Sequence, residues 1–134
     1  MNAKINKAPG GVLVDGKPAP GLAVHGYDVV SFFTDGKPAQ GDAALSIVHG
    51  DATYRFVNQS HLDAFRANTE KYVPGFGGFC AYGVSVGALF DGDPRYWKIV
   101  GDKLYLNLDQ GIADAFGKDV QGALNKAEKN WPKL

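Results

Sequence analysis

The stretch that decides the fold runs from residue 44 to residue 72 and reads ALSIVHGDATYRFVNQSHLDAFRANTEKY. Two runs in it, 44–49 and 53–57, are rich in β-branched and aromatic residues and are separated by a Gly-Asp turn. Such a pair of runs predicts a β-hairpin. Asn58 is then a favourable N-cap for a helix over residues 59–68. The stretch therefore predicts strand, strand, helix.

A second unit of the same outline follows further along the chain. Residues 96–100 and 104–108 flank a Gly-Asp-Lys turn and predict another hairpin. Asp109 is a suitable cap for a short helix over 110–116. Asp119 is a suitable cap for a last helix that ends near Trp131 and carries an apolar stripe at helical spacing. The two units predict an α+β fold, a small antiparallel sheet of two hairpins with helices packed against it.

The segment before these units is turn-rich. Residues 1–22 contain several Pro and Gly positions and predict a flexible lead-in to a domain of residues 23–134. The apolar run from Asp28 to Phe33 is too short for its periodicity to decide its structure. It predicts either a strand or a short helical turn that Asp28 starts.

Composition limits the function classes. A chain of 134 residues suits one domain, and its net charge of zero argues against a nucleic-acid binder, which is normally basic. No apolar run approaches the roughly 20 residues of a membrane-spanning helix. The single cysteine excludes an internal disulfide. The first seven residues lack the apolar core of a signal peptide.

Residues 74–93 carry glycines interleaved with aromatic residues, and Cys80 lies in the middle. A long loop of this kind is usually functional or packed by its own side chains. A Cys80 thiolate would bind a soft metal or act as a nucleophile, while free cysteines are more commonly buried structural residues. His61 and His25 are the histidine candidates for metal binding. The alternative for each is a histidine that binds no metal and is hydrogen-bonded within the protein or solvated. No pair of these residues has a recognisable metal-ligand spacing.

Seven short motifs occur in one order along the chain: residues 26–33 (GYDVVSFF), 50–56 (GDATYRF), 63–65 (DAF), 70–72 (EKY), 77–82 (GGFCAY), 103–107 (KLYLN) and 130–132 (NWP). Together they resemble the YHS-domain family, in its longer single-domain bacterial branch, from about Ala23 to the end of the chain. The resemblance implies a small α+β domain. It also implies metal binding, because shorter members occur beside heavy-metal transport domains and have cysteines thought to bind the metal.

The family's cysteine positions are occupied differently here. In the shorter members, one cysteine follows the Asp-Pro-Val of the first motif, and two more flank the start of the helix. This chain has Ser31 at the first of these positions and Val57 and His61 at the other two. His61 is the one plausible metal ligand among these three. Longer members commonly carry export signals, so the resemblance implies a periplasmic or secreted location, with the cytoplasm as the alternative.

The sequence thus favours a non-enzymatic binding module for a transition metal such as copper or zinc, with His61, Cys80 and His25 as ligands. Its partner would be the metal ion or a metal-handling protein, and neither nucleic acid nor a membrane span is expected. The alternative is a small-molecule or protein interaction domain without a metal. Its ligand contacts would be Tyr27, Asp28, Phe76, Phe79 and Tyr82. A thiol-dependent enzyme using Cys80 is the third hypothesis.

Overall fold

The computed structural model describes residues 4–134. Its strands are β1 (Val12–Val14), β2 (Lys17–Ala19), β3 (Asp42–His49), β4 (Ala52–Phe56), β5 (Asp93–Val100) and β6 (Lys103–Asn107). Its helices are α1 (Ser31–Thr34), α2 (Gln59–Ala67), α3 (Thr69–Tyr72), α4 (Ala81–Ser85), α5 (Gln110–Lys118) and α6 (Val120–Asn130). Short 3₁₀ turns occupy Val24–Gly26, Gly75–Gly78 and Trp131–Lys133. The α+β fold class is confirmed.

The strands form three antiparallel hairpins, β1–β2, β3–β4 and β5–β6. The second and third are the two hairpins that the sequence predicts, but in the described chain they remain separate two-stranded ladders. Isolated single-residue bridges add to these ladders, because Leu22 pairs with Thr53 of β4 and Cys80 pairs with Leu106 of β6.

The main core lies between the two larger hairpins and helices α1 and α2. Its aromatic centre is Phe65 of α2, whose ring lies 4.9 Å from that of Tyr54 and 5.1 Å from that of Phe56. The buried apolar residues of this core are Ala23, Val24, Val29, Val30, Phe32, Ala52, Tyr54, Phe56, Leu62, Phe65, Tyr72, Leu104 and Leu106. Burial of these side chains is the principal stabilising contribution to the fold.

A smaller second core forms where the C-terminal helices cover the glycine-rich segment. Ala81, Phe116 and Leu124 are buried there. Helices α5 and α6 begin where the sequence predicts, since the carboxylates of Asp109 and Asp119 accept hydrogen bonds from backbone N–H groups in the first turns. The final turns of the chain therefore hold the glycine-rich segment in place.

Two segments differ from the sequence prediction. Residues 4–22, expected to be flexible, contain the β1–β2 hairpin, and the backbone N–H of Asn6 donates to Gly77 O at 2.8 Å. Residues 74–93, expected to be a loop, contain α4. These differences arise because both segments make contacts with residues that are distant from them in the sequence. No helix within residues 4–134 is long and apolar enough to cross a lipid bilayer.

Candidate functional site

The centre of the candidate site is a buried pair formed by Asp28 and His61. Asp28 is fully buried, and its Oδ2 lies 2.8 Å from Nδ1 of His61. The imidazole is almost buried too, with 10% of its side chain exposed. The two residues are 33 positions apart in the chain, so only the folded structure brings them together.

Asp28 is fixed by backbone groups from two parts of the fold. Its Oδ1 accepts hydrogen bonds from the backbone N–H groups of Val30 and Ser31, at 2.7 and 3.1 Å. Its Oδ2 accepts a third from Val57 at 2.9 Å. The first two bonds start α1, which confirms the helical alternative for this run. Such charge-assisted hydrogen bonds are the strong ones in proteins, so the carboxylate is held rigidly.

His61 is placed by the capped start of α2. The side chain of Asn58 accepts a hydrogen bond from the backbone N–H of His61 at 2.8 Å, as the predicted N-cap requires. The imidazole then points back toward α1 and Asp28. Because an aspartate carboxylate only accepts hydrogen bonds, His61 donates from Nδ1, and its neutral form keeps a lone pair on Nε2.

The Nε2 side of His61 faces two polar residues at the end of α1. The hydroxyl of Thr34 lies 3.3 Å from Nε2, and Oδ2 of Asp35 lies 3.9 Å from the same nitrogen. The Asp35 side chain is 41% exposed, so this side of the imidazole opens toward solvent. Sequence reasoning missed Thr34 and Asp35. Their place directly after the 26–33 motif is the one signal that would have pointed to them.

Ser31 and Val57 also contact this pair. Ser31 Oγ lies 3.4 Å from Nδ1 of His61, and the backbone of Val57 donates to Asp28. Ser31 belongs to α1, Val57 directly follows β4, and His61 lies in the first turn of α2. The fold therefore brings together residues that are up to 30 positions apart in the chain.

Cys80 lies elsewhere and is fully buried. Its sulfur accepts a hydrogen bond from the backbone N–H of Gly83 at 3.3 Å, which caps α4, and its thiol donates to Oδ1 of Asn107. Burial raises the pKa of the Cys80 thiol above its ordinary value, partly offset by nearby backbone N–H groups. These contacts favour the buried structural role over a thiolate ligand or a nucleophile.

His25 belongs to a third location, a cleft of about 240 Å³ beside the N-terminal segment. Its Nε2 lies 2.9 Å from Oδ1 of Asp91, which also accepts a hydrogen bond from the Asn6 amide at 2.7 Å. Val24 and His25 both adopt a positive φ, of 52° and 53°. That backbone is costly for a β-branched valine and is held by the surrounding contacts.

The predicted aromatic contacts divide between the two cores. Tyr27 packs against the main core, whereas Phe76 and Tyr82 pack against the second. Phe79 lies 6.2 Å from the ring of Trp131. Of the residues predicted to bind a ligand, the structure joins Asp28 to His61, while His25 and Cys80 have separate partners. Within residues 4–134, no group of three or more His, Cys, Asp or Glu side chains is arranged to hold a metal ion.

Comparisons with known proteins give no relative to set beside this geometry. Neither protein-family models, nor curated proteins, nor solved structures produced a match.

Proposed function

We propose that this protein is a non-enzymatic binding module that holds a transition metal ion, such as copper or zinc, on the imidazole of His61. The observation that carries the proposal is the 2.8 Å contact between Asp28 Oδ2 and His61 Nδ1. Histidine ligands of metals commonly donate their other ring N–H to a carboxylate, which fixes the tautomer and the ring orientation. Asp28 holds His61 in that form, with Nε2 as the group that binds.

The donor set at Nε2 suits an exchangeable ion. His61 and Asp35 supply an imidazole nitrogen and a carboxylate, which together fit Zn²⁺ and Cu²⁺, and the Thr34 hydroxyl adds a weaker oxygen. Two strong protein donors leave further coordination positions for water or for donors of another protein. Weak and open coordination is what a cargo ion needs when it passes to or from a metal-handling partner.

The proposal is tested by titrating the purified chain separately with Zn²⁺ and Cu²⁺ and measuring bound metal after equilibrium dialysis. The variants are His61→Gln and Asp35→Asn, with Asp63→Asn on the exposed side of α2 and Cys80→Ser as controls. We expect one ion per wild-type chain, loss of binding in His61→Gln, and roughly tenfold weaker binding in Asp35→Asn. The two controls should bind as the wild type does.

Circular dichroism of each variant shows whether the fold is retained, so that a loss of binding is not confused with unfolding. The proposal fails if the wild type takes up neither ion. It fails equally if folded His61→Gln and Asp35→Asn keep the wild-type stoichiometry and affinity.

A second candidate function, a protein interaction module without a metal, is favoured by one observation. Val86, Leu89 and Phe90 follow α4 and expose 59%, 41% and 40% of their surface. Neighbouring exposed apolar side chains are typical of interaction surfaces. A wild-type chain that binds neither metal would favour this candidate.

A further inference from the structure

The first residues that the structure describes lie in a groove formed by several parts of the fold. Residues 4–9 are called the N-terminal arm below. The backbone N–H of Asn6 donates to Gly77 O, and that of Ala8 donates to Leu22 O, both at 2.8 Å. The arm therefore connects the glycine-rich segment to the residues that precede α1.

Two glycines in the groove leave room for the backbone of the arm. A Cβ atom at Gly21 would collide with the carbonyl oxygen of Ala8, and one at Gly77 would collide with that of Lys4. Gly21 is not among the glycines with a positive φ, so its own conformation does not require glycine. The close approach of the arm accounts for the missing side chain there. The groove is thus shaped to receive a backbone.

The first two side chains of the arm contact an aromatic ring and the main core. Lys4 Nζ lies 4.9 Å from the centre of the Trp131 ring, a favourable cation–π geometry. Ile5 is partly buried and packs against the main core. The groove therefore accepts a cation and an apolar side chain at successive positions.

The next two side chains of the arm meet carboxylates. Asn6 Nδ2 donates to Asp91 Oδ1 at 2.7 Å, and Lys7 Nζ donates to Asp51 Oδ2 at 2.7 Å. The arm supplies cationic and amide donors and the groove supplies acidic acceptors, so the two surfaces are complementary in charge. Contacts at four consecutive positions make the groove selective for the order Lys-Ile-Asn-Lys.

The arm leaves the rest of the chain at a pair of glycines. Gly10 adopts a φ of 78°, and no atom lies within 4 Å of the place a Cβ would take; Gly11 follows it. Glycine loses more conformational freedom on folding than any other residue, so holding this hinge in one turn has an entropic cost. Exchange of an identical element between copies is a low-cost route to dimers, because every contact is reproduced.

We propose that this groove is an interface between two copies of the chain, in which the N-terminal arm of one copy docks into the groove of the other. At low concentration the arm stays in its own groove, because its short connection to β1 gives it a high effective concentration there. Exchange increases as the chain concentration rises. The interface uses none of the residues proposed to bind metal and is independent of that proposal.

The test separates the arm from the groove in two full-length variants. Ile5→Ser unseats the arm and leaves the groove intact, whereas Gly21→Ala blocks the groove and leaves the arm intact. Sedimentation equilibrium of each variant alone should give the mass of one chain. An equimolar mixture at about 100 µM should give a species of twice that mass, because the free arm of one variant docks into the empty groove of the other.

Circular dichroism establishes that each variant is folded. If Ile5→Ser does not fold, Asn6→Ala takes its place, because it removes only the side-chain hydrogen bonds to Gly78 O and Asp91 Oδ1. A mixture of folded variants that stays monomeric would overturn the proposal.

A fluorescein-labelled peptide of residues 4–11 provides a second measurement. Its fluorescence anisotropy should show binding to Ile5→Ser with a dissociation constant on the order of 10 µM, and at least about tenfold weaker binding to Gly21→Ala. The same peptide carrying Ile5→Ser is the matched control and should bind weakly to both variants. Equal binding of the unaltered peptide to the two variants would also overturn the proposal.

Discussion

At the residue scale, Asp28 joins three parts of the molecule. One buried carboxylate accepts hydrogen bonds from the start of α1, from Val57 after β4 and from the ring of His61. A carboxylate in this position is stabilised by its donors, and each of those donors in turn depends on it. Asp28 therefore has a structural role in the fold as well as an orienting role for His61.

Replacing Asp28 by alanine should destabilise the protein strongly. Asp28→Ala leaves the backbone N–H groups of Val30, Ser31 and Val57 buried without their acceptor, and we expect a loss of about 3–5 kcal/mol in the free energy of unfolding. Urea denaturation followed by circular dichroism measures this loss. Asp63→Ala on the surface of α2 should change the value by less than about 0.5 kcal/mol, and equal effects of the two substitutions would contradict the assignment.

Cys80 should react slowly with thiol reagents while the protein is folded. The thiol is fully buried, and burial raises its pKa, so both access and thiolate population are low near neutral pH. We expect alkylation by iodoacetamide to be at least about a hundredfold slower in the native protein than in urea. Alkylation at the same rate in both conditions would show that the thiol is accessible, contrary to this account.

At the scale of elements, local signals were sufficient for most of the secondary structure. Asn58, Asp109 and Asp119 cap their helices as the sequence predicts, because an N-cap acts within three residues of its own position. Both long hairpins were likewise predictable from their strand patterns and turns. Helix α4 was not, because it has five residues, includes a glycine and is capped by a cysteine.

The candidate site was only partly predictable for the same physical reason. His61 and Asp28 each stood out in the sequence, but their contact depends on the tertiary fold, which brings the residue before α1 and the first turn of α2 together across 33 positions of the chain. Contacts between residues distant in sequence are set by the tertiary fold, and no local pattern encodes them.

The cap of α2 should matter to the site, whereas the cap of α5 should not. Asn58→Ala and Asp109→Ala each remove one side-chain acceptor at a helix start and should each cost about 1 kcal/mol of stability. Only Asn58→Ala loosens the backbone of His61. We therefore expect only Asn58→Ala to bind Zn²⁺ more weakly than the wild type, as measured by equilibrium dialysis. Equal Zn²⁺ affinities of Asn58→Ala and Asp109→Ala would contradict the placement of the site.

At the scale of the whole molecule, the two cores explain how a chain of short elements is held together. The main core contains residues from both long hairpins, and the second fastens the glycine-rich segment beneath α5 and α6. The aromatic residues that the sequence suggested as pocket walls are largely used in this packing. Tyr54 is the polar aromatic residue buried most deeply, at 2% exposure.

Stability should therefore fall in strongly alkaline solution. Burial, reinforced by the charge of Glu70, raises the pKa of Tyr54 from 10.0 to about 12. The folded state favours the neutral phenol, so this contribution is fully present below pH 10 and is lost as the pH rises to about 12. The shift corresponds to roughly 2–3 kcal/mol of unfolding free energy.

The comparison that isolates this contribution is urea denaturation of wild type and Tyr54→Phe between pH 9 and pH 12. Tyr54→Phe should lose less stability over that range, because it has no phenol to ionise at this position. A Tyr96→Phe control keeps Tyr54 and should decline as the wild type does. Identical pH profiles for wild type and Tyr54→Phe would refute the prediction.

A long-range ¹H–¹⁵N NMR spectrum of the imidazole rings, recorded with and without Zn²⁺, tests most directly whether Asp28 orients His61 to bind a metal through Nε2. Neutral His61 should carry its proton on Nδ1, and Zn²⁺ should shift the Nε2 resonance of His61 while Nδ1 stays protonated. His25 and His49 should not respond at equimolar metal. A His61 ring protonated on Nε2, or one whose Nε2 signal is unmoved by saturating Zn²⁺, would contradict the claim.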